Sequence, residues 1–201
     1  MATYVLQRNE IPVSPSGRAA ERILKNCERL RRTLDALSDY SHASLGAGLP
    51  LAKSDTDLGT LCRAAGDAFL AEEPRRRLRL ERRGDLHGVW DSNRLLQSVE
   101  ALLTNASRLA PREGEIVLLA DGDARDRIAV SIQSDGSPID AQSFKEIFEP
   151  HQRSDPSRST YAGLGLGLFI VREVVEAHGG SIDVAVNDIK RTTVTVSLPR
   201  A

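Results

Sequence analysis

An alternation of glycine and leucine over residues 163–168 (GLGLGL) constrains this chain more than any other feature. Because glycine has no Cβ, such a backbone can turn sharply and approach a ligand closely. Residues 169–178 then place apolar side chains at helical spacing, and Gly179 and Gly180 form a helix stop. A glycine loop that presents free N–H groups at a helix N-terminus binds phosphate, although this spacing is neither that of a Walker A loop nor that of a dinucleotide fingerprint. The run therefore predicts a phosphate-binding loop or, as the alternative, a flexible connection before a core helix.

The bulk properties exclude several classes of partner. The 201 residues carry a formal net charge of −1, so no overall field attracts nucleic acid or an anionic membrane. Within the arginine-rich segment 75–83, leucines alternate with arginines, a pattern that is typical of a strand with one face exposed to solvent. Residues 1–10 lack the apolar core of a signal peptide, and no apolar run reaches the ~20 residues of a membrane helix. Cys27 and Cys62 lack metal-ligand spacing. We therefore expect a cytoplasmic chain with no nucleic-acid or membrane partner.

Apolar residues follow each other at steps of three and four between residues 18 and 42. They are Ala20, Ile23, Cys27, Leu30, Leu34 and Leu37. This spacing predicts a helix over about 18–42 with a heptad seam along one side. A single helix cannot bury its own seam, so the seam requires a helix from outside this sequence or a second copy of the chain. Gly46 and Gly48 then mark a boundary, which divides the chain into residues 1–48 and 49–201.

The second part alternates helical and strand patterns. Helices are predicted over 56–72 and 91–109, with a short helix over 141–148 and a last one over 169–178. Strands are predicted around 78–80, 88–90, 115–120, 127–132, 182–186 and 194–198. Together these patterns predict an α+β fold in which helices cover one face of a largely antiparallel sheet.

Four segments of this second part are informative because of their order and spacing. They are the helical stretch 102–108 (LLTNASR), the turn 134–139 (SDGSPI), the stretch 147–150 (IFEP) and the glycine run. In order and spacing they resemble the N, G1, F and G2 boxes of the histidine-kinase ATP-binding domain, in the gyrase, Hsp90, histidine kinase and MutL (GHKL) superfamily. Three segments, residues 89–91 (VWD), 165–168 (GLGL) and 178–180 (HGG), are similar to those of the bacteriophytochrome-type sensor histidine kinases.

The resemblance covers nearly the whole chain and implies an architecture. It implies the two-layer GHKL ATPase sandwich, with helices on a mixed, largely antiparallel sheet, preceded by one long helix of a dimerisation bundle. Residues 1–48 would then be the remnant of a dimerisation and histidine-phosphotransfer hairpin, whose second helix is the one predicted over about 18–42. Residues 49–201 would be the catalytic ATP-binding domain.

The resemblance also assigns roles to individual residues. Asn105 matches the asparagine that binds Mg²⁺, a hard cation that accepts an amide oxygen beside phosphate oxygens and water. Arg108 matches a basic residue for phosphate, and the stretch 149–160 matches the ATP lid. The implied ATP-binding residues are Asn105, Arg108, Ser134, Asp135, Gly136, Ile139, Phe148, Gly163, Leu164, Gly165, Leu166, Gly167 and Leu168. ATP and Mg²⁺ are the implied cofactors; Phe148 also fits an ordinary core position.

The turn 134–139 departs from the family pattern. The family carries Asp or Asn two residues before Gly136, where that side chain binds the adenine amino group, and this chain carries Ser134 there with the acid one residue later, at Asp135. A serine hydroxyl still accepts one hydrogen bond. Losing the charged acceptor would cost about 1–2 kcal/mol of nucleotide affinity. Weakened ATP binding is therefore expected, with the Mg²⁺ contact through Asn105 better preserved.

The phospho-acceptor histidine of such kinases has no counterpart in the sequence. Each of the four histidines, His42, His87, His151 and His178, lacks the acidic residue that follows that histidine in the family. The resemblance thus implies the catalytic fragment of a two-component sensor histidine kinase, which transfers the ATP γ-phosphate to a histidine outside this sequence. It implies as partners the histidine-bearing dimerisation helix of the same or another kinase, a response regulator, and a second copy of the chain through residues 18–42.

Two other interpretations stay open at this point. The altered turn and the missing histidine also fit a non-catalytic pseudokinase, or scaffold, that interacts through its heptad helix. A serine-directed anti-sigma kinase of the same superfamily is disfavoured, because such chains usually lack the bundle helix.

Overall fold

The computed structural model describes residues 15–45, 48–135, 148, 166–186 and 191–200. The chain divides into two compact units, 1–38 and 39–201. Helix α1 (Pro15–Ser44) begins in the first unit and ends in the second. Within the first unit, Ile23, Leu30 and Leu34 of the heptad seam are 61–64 % exposed. The helix is therefore longer than the predicted 18–42, and its apolar seam faces solvent in the isolated chain.

The second unit adds the remaining elements in a fixed order. They are β1 (Ser54–Asp57), α2 (Leu58–Glu72), β2 (Arg77–Gly84), β3 (His87–Trp90), α3 (Ser92–Leu109), β4 (Glu115–Gly122), β5 (Arg127–Asp135), α4 (Gly167–Ala177), β6 (Ser181–Val186) and β7 (Arg191–Pro199). Among the described strands, five form a mixed sheet of order β2-β4-β5-β7-β6, and β1 pairs with β3. Only β2 and β4 are parallel among the described pairs. This confirms the predicted α+β architecture, whereas the helix predicted over 141–148 lies outside the described residues.

The core lies between the five-stranded sheet and the helices α2, α3 and α4. Successive side chains of a strand point to opposite faces, and the inward set is apolar over most of its length. It comprises Ile116, Leu118 and Ala120 of β4, Ile128, Val130 and Ile132 of β5, and Val194, Val196 and Leu198 of β7, all buried. Each fully buried branched side chain stabilises the fold by about 1.5–3 kcal/mol. The strands are therefore placed by apolar alternation that is already visible in the sequence.

The start of α3 is held by several hydrogen bonds. Asp91 caps the helix, since its Oδ1 accepts from the Arg94 N–H at 3.1 Å, and its Oδ2 accepts from the Ala52 N–H at 2.8 Å. The Asp91 N–H itself donates to Nε2 of His178, just after α4, at 2.9 Å. Next to it, the Trp90 indole N–H donates to the carbonyl of Pro199 at the end of β7. These bonds fix the beginning of α3 at the sheet end where β7 finishes.

The end of α3 is held by the guanidinium of Arg76. This side chain donates to the carbonyls of Pro111 at 2.7 Å and Ala110 at 3.3 Å, and to that of Ser107. Carbonyls at a helix C-terminus have no intrahelical donor, so a cation there replaces the missing partner. Because Arg76 directly precedes β2, the C-terminal turn of α3 lies over the sheet end where β2 begins.

The last turns of α1 belong to the second unit. Asp39, which is 6 % exposed, forms an ion pair of 2.6 Å with Arg94 of α3. The ring of Tyr40 meets that of Phe169 edge to face, with centroids 5.5 Å apart. The second unit therefore begins at Asp39 rather than at the boundary placed at residue 48, and the assignment of 1–48 to a dimerisation hairpin stays a prediction.

Candidate functional site

Two buried hydroxyl-bearing residues are paired on neighbouring strands near one end of the sheet. Ser134 of β5 pairs with Thr192 of β7, and they are 3 % and 4 % exposed. Both continue the inward rows of Ile132 and Val194, so both point toward the helices. The Oγ1 atom of Thr192 is buried and has no hydrogen-bond partner among the residues that the structure describes. A buried polar group without a partner costs about 1–3 kcal/mol, so this atom marks a position where a polar ligand atom or a water would bind.

Asp135 lies on the opposite face of the sheet. Its Oδ1 accepts from the Arg191 guanidinium at 2.8 Å, and its Oδ2 accepts from the Glu115 N–H at 3.4 Å. Neighbouring residues of a strand alternate in direction, so this carboxylate points away from the helices while Ser134 points toward them. Of these two predicted adenine-side residues, the structure thus places the hydroxyl, and not the carboxylate, on the inner face.

The C-terminal half of α3 lies at the same end of the sheet. Arg76, which holds that half of the helix, lies two residues before Leu78, and Leu78 begins a row of paired residues across the sheet. The row runs Leu78, Ile116, Ser134, Thr192, Val186. Asn105 is half-buried in this half of α3, and Arg108 is exposed one turn later on the same side. Both predicted residues of α3 therefore lie at the Ser134 end.

The start of α4 is brought to this end as well. The bond from the Asp91 N–H to His178 joins the beginning of α3 to the end of α4, so the two helices run in opposite directions where they pack. Gly167, the first residue of α4, thus lies toward the half of α3 that carries Asn105. Leu166 stands at the N-cap without a side-chain hydrogen bond to the helix, and a Cβ placed on Gly167 would meet nothing within 4 Å. Among the described residues, the space beside the first residue of α4 is therefore open.

Several predicted residues fall outside the described part of the chain. They are Gly136, Ile139, Gly163, Leu164 and Gly165, together with the lid stretch 149–160. Phe148 is described and is 3 % exposed, a burial that fits its alternative as a core residue. Leu168 is half-buried in α4 and packs against the core. The roles of all these residues in binding a nucleotide stay predictions.

Sequence reasoning did not single out Thr192, although a signal for it exists. The apolar residues Val194, Val196 and Leu198 set the inward positions of β7, and Thr192 continues that series with a polar side chain. A polar residue at an inward position needs a partner. What the local pattern does not provide is the register that places Thr192 beside Ser134, since β5 and β7 are far apart in sequence.

A separate open depression lies at the other end of the sheet. Its volume is about 390 Å³, and it is lined by Asp57, Arg82, Arg83, Gly84, Asp85, Leu86 and His87. Gly84 pairs with Gly122, six rows away from the pairing of Leu78 with Ile116. None of the predicted site residues lines this depression.

The family model of the histidine kinase-, DNA gyrase B- and HSP90-like ATPases matches residues 90–201. Because this match spans more than half of the sequence and includes α3, β5, α4 and β7, the chain belongs to that ATPase family. The same region is similar to part of sensor histidine kinases. The sensor histidine kinase WalK of Bacillus subtilis (strain 168) is 30 % identical over 117 residues, which are 57 % of this chain and 19 % of WalK. The chain thus spans about a fifth of the length of such relatives.

Solved structures show the same fold. The catalytic domain of histidine kinase ThkA superposes with a TM-score of 0.64 at 23 % identity, covering 74 % of this chain and 98 % of that domain. Full-length ShkA in complex with AMPPNP gives a TM-score of 0.71 at 23 % identity, covering 98 % of this chain and 41 % of ShkA. At these identities the likeness concerns the architecture alone, and the similarity to the bacteriophytochrome-type kinases stays a prediction.

Among the described helices, none is both long and apolar enough to cross a lipid bilayer.

Proposed function

We propose that this chain binds Mg²⁺-ATP at the sheet end defined by Asn105, Ser134, Thr192 and the start of α4, and presents the γ-phosphate to a histidine outside these 201 residues. The observation that carries the proposal is the buried, unpartnered hydroxyl of Thr192 beside Ser134, at the end to which α3 and α4 bring Asn105 and Gly167. The membership of the ATPase family supports the choice of nucleotide. A cytoplasmic location, as expected from the sequence, belongs to the same proposal.

The phosphate end of this site would be held by α3 and α4. The first N–H groups of α4 have no side-chain cap from Leu166 and would donate to phosphate oxygens. Arg108 adds a guanidinium, which forms strong bidentate bonds with phosphate. These groups and the preceding glycines would hold the triphosphate in one orientation, and positioning is the main contribution of protein groups to phosphoryl transfer.

Asn105 fits a Mg²⁺ ligand in this setting. The described residues contain no group of three or more His, Cys, Asp or Glu side chains that could hold a metal ion by themselves. A cation near Asn105 would therefore be held by one amide oxygen together with phosphate oxygens and water, a set that suits Mg²⁺. When bound, Mg²⁺ would supply positive charge that offsets the charge of the phosphates. Asn105 would contribute an oriented neutral oxygen without adding negative charge.

The base end would be held by the sheet. Ser134 and Thr192 offer two hydroxyls at the helix-facing surface, next to apolar positions occupied by Ile132 and Val194. A flat aromatic base with a polar edge matches such a surface, because its ring contacts the apolar side chains while its edge forms hydrogen bonds with the hydroxyls. This contact would satisfy the Oγ1 atom of Thr192.

The seam of α1 would hold a second helix. Ile23, Leu30 and Leu34 are exposed on one side of the helix in the first unit. A second copy of this chain, or the histidine-bearing dimerisation helix of the same or another kinase, would bury these side chains by coiled-coil packing. A response regulator would then take the phosphoryl group from that histidine. The alternative in which the chain acts solely as a scaffold is not favoured, because the ATPase family match includes the whole nucleotide region.

The decisive experiment combines binding and transfer. The purified chain is titrated with Mg²⁺-ATP by calorimetry, and labelled ATP is then added with and without a kinase fragment that carries the phospho-acceptor helix. We expect heat on nucleotide addition, no label on the chain alone, and acid-labile label on the partner fragment. Nucleotide binding without any transfer to a saturating excess of several such fragments would leave the scaffold function in its place.

A further inference from the structure

We propose that the base pocket of this chain does not discriminate between 6-amino and 6-oxo purines, so that Mg²⁺-GTP and Mg²⁺-ITP bind about as well as Mg²⁺-ATP. The inference rests on the proposed function, since it concerns the base end of the same site. It follows from the chemistry of two side chains, Ser134 and Thr192, which are the polar groups of the inward row across the described sheet at that end.

The two hydroxyls differ from a carboxylate in what they can bind. An ionised carboxylate only accepts hydrogen bonds, whereas a hydroxyl donates one and accepts others. Adenine presents an amino donor at its 6-position, and guanine presents a carbonyl acceptor there. A carboxylate would therefore favour adenine and repel guanine. The Ser134 and Thr192 hydroxyls can each rotate to donate or to accept, so the pair can match either base. The Oγ1 atom of Thr192 has no hydrogen-bond partner among the described residues that would fix its direction.

The nearest acid cannot take over this role. Asp135 is held on the outer face of the sheet by Arg191 at 2.8 Å and by the N–H of Glu115. Turning its carboxylate to the inner face would require a one-residue slip of β5, which would also expose the apolar residues now facing the core. The register that buries Ile128, Val130 and Ile132 thus keeps the negative charge away from the base.

Because Ser134 and Thr192 are buried, the hydrogen bonds that their side chains can form decide which base binds. Ser134 and Thr192 are at most 4 % exposed, so bulk water does not replace a hydrogen bond that a base fails to make. In such a place a mismatched polar group is left unpaired, and sites built on a fixed donor or acceptor reject the wrong ligand strongly for that reason. Because each hydroxyl of the pair can either donate or accept a hydrogen bond, neither the 6-amino nor the 6-oxo purine leaves a polar group unpaired. The absence of a carboxylate at position 134 should therefore lower the selectivity for ATP over GTP and ITP as well as the affinity for ATP.

The test compares four nucleotides on the whole chain, on three variants of the Ser134–Thr192 pair and on one control variant. Dissociation constants for Mg²⁺-ATP, Mg²⁺-GTP, Mg²⁺-ITP and Mg²⁺-CTP are measured by displacement of a fluorescent ATP analogue. ITP is included because it has the 6-oxo group without the 2-amino group of GTP. We expect ATP, GTP and ITP to agree within about fivefold, a difference of less than the 1.4 kcal/mol that a tenfold change represents, and CTP to bind more weakly.

The variants change the chemistry of the pair in defined ways. S134D introduces an acceptor-only group and should shift the ratio of affinities toward ATP by at least about tenfold. S134N, which can donate or accept, should leave that ratio unchanged, and T192V should weaken all three purine nucleotides. T195V is the matched control, because Thr195 points to the outer face of the same strand. Circular dichroism shows whether each variant is folded.

The outcomes separate this inference from the proposed function. If the unmodified chain binds ATP and rejects both GTP and ITP by more than about thirtyfold, the inference is wrong while the proposed function stands. If S134D binds ATP but gains no selectivity over S134N, the inference is also wrong, because Ser134 then does not face the base. If no purine nucleotide binds the unmodified chain at millimolar concentration, the proposed function itself fails.

Discussion

The N–H of Asp91 donates a hydrogen bond of 2.9 Å to Nε2 of His178, and this bond joins the first residue before α3 to the first residue after α4. The other ring nitrogen, Nδ1, lies 2.7 Å from the carbonyl of Val174. A carbonyl only accepts, so Nδ1 must carry the proton and Nε2 must be the acceptor. The geometry therefore requires a neutral His178, and it sets the relative direction of the two helices that carry Asn105 and Gly167.

This arrangement predicts a loss of stability in mild acid. Burial is the main cause that lowers the pKa of His178 below its ordinary value, and the charge of Lys53 lowers this pKa further. The hydrogen bond to the Val174 carbonyl and the charge of Asp91 act in the opposite direction but do not cancel the decrease. The unfolded chain therefore takes up the proton first as pH falls, so the contribution of neutral His178 is complete above about pH 6.5 and is lost below it. Urea unfolding at pH 7.5 and pH 5.0 measures the effect.

The control for this experiment is the exposed imidazole of His87. H178Q should be less stable than the unmodified chain at pH 7.5 and should lose less stability on acidification, whereas H87Q should follow the unmodified chain at both values. His87 is 75 % exposed and serves as a histidine of similar chemistry outside the core. An equal loss on acidification in the unmodified chain and in H178Q would show that other groups cause it.

Replacing Arg76 should destabilise the fold and displace the end of α3. R76M removes the donor to three carbonyls and leaves Glu73, which accepts from the Arg76 Nε at 3.2 Å, without its cation. Hydrogen bonds from a charged donor contribute about 1.5–3 kcal/mol each, so we expect a loss of at least about 2 kcal/mol in the free energy of unfolding. Arg77 is the matched control, since it is exposed on β2. A loss of the same size in R77M would contradict the role assigned to Arg76.

Replacing Gly167 by alanine should weaken ligand binding without destabilising the fold. A Cβ at this position meets no atom within 4 Å, and alanine favours helix over glycine by up to about 1 kcal/mol. G167A should therefore keep or raise the melting temperature. In the proposed site the phosphates bind at the start of α4, where the added methyl group would take up space beside them, so Mg²⁺-ATP should bind at least about tenfold more weakly, which is 1.4 kcal/mol. Unchanged ATP affinity in a folded G167A would place the phosphates elsewhere.

The seam of α1 predicts a concentration-dependent association. Leu30 and Leu34 are 63 % and 64 % exposed, and a charge at such a position would be buried at a coiled-coil interface. Sedimentation equilibrium of the unmodified chain should show dimers that L34D abolishes. R22D introduces the same side chain at an exposed position away from the seam and should still dimerise. If the unmodified chain stayed monomeric at all concentrations, the predicted dimer would be wrong, and the seam would instead bind a helix from another protein.

Local signals in the sequence were sufficient for α3 but not for the end of β5. The strand was predicted to end at residue 132 and continues through Asp135, so Ser134 and Asp135, which were predicted in a turn, lie in a strand because they pair with β7. For α3, the Asp91 cap, the apolar spacing and Pro111 gave the observed bounds to within one residue, because each acts within a turn of the helix. The strand β1 was missed, since residues 54–57 (SDTD) are polar and become a strand only by pairing with β3. The partner of Ser134 was missed for the same reason: register between distant strands is a property of the assembled sheet.

The central claim is that Asn105, the Ser134–Thr192 pair and the start of α4 form one Mg²⁺-nucleotide site, and calorimetric titration of ATP with and without Mg²⁺ tests it most directly. The unmodified chain should bind ATP with a Mg²⁺-dependent affinity, and N105A should lose that dependence. T104A, which changes an exposed neighbour whose hydroxyl donates to the Glu100 carbonyl, should behave like the unmodified chain. Equal Mg²⁺-dependent binding by N105A, or no heat from any of the three at millimolar ATP, would contradict the account.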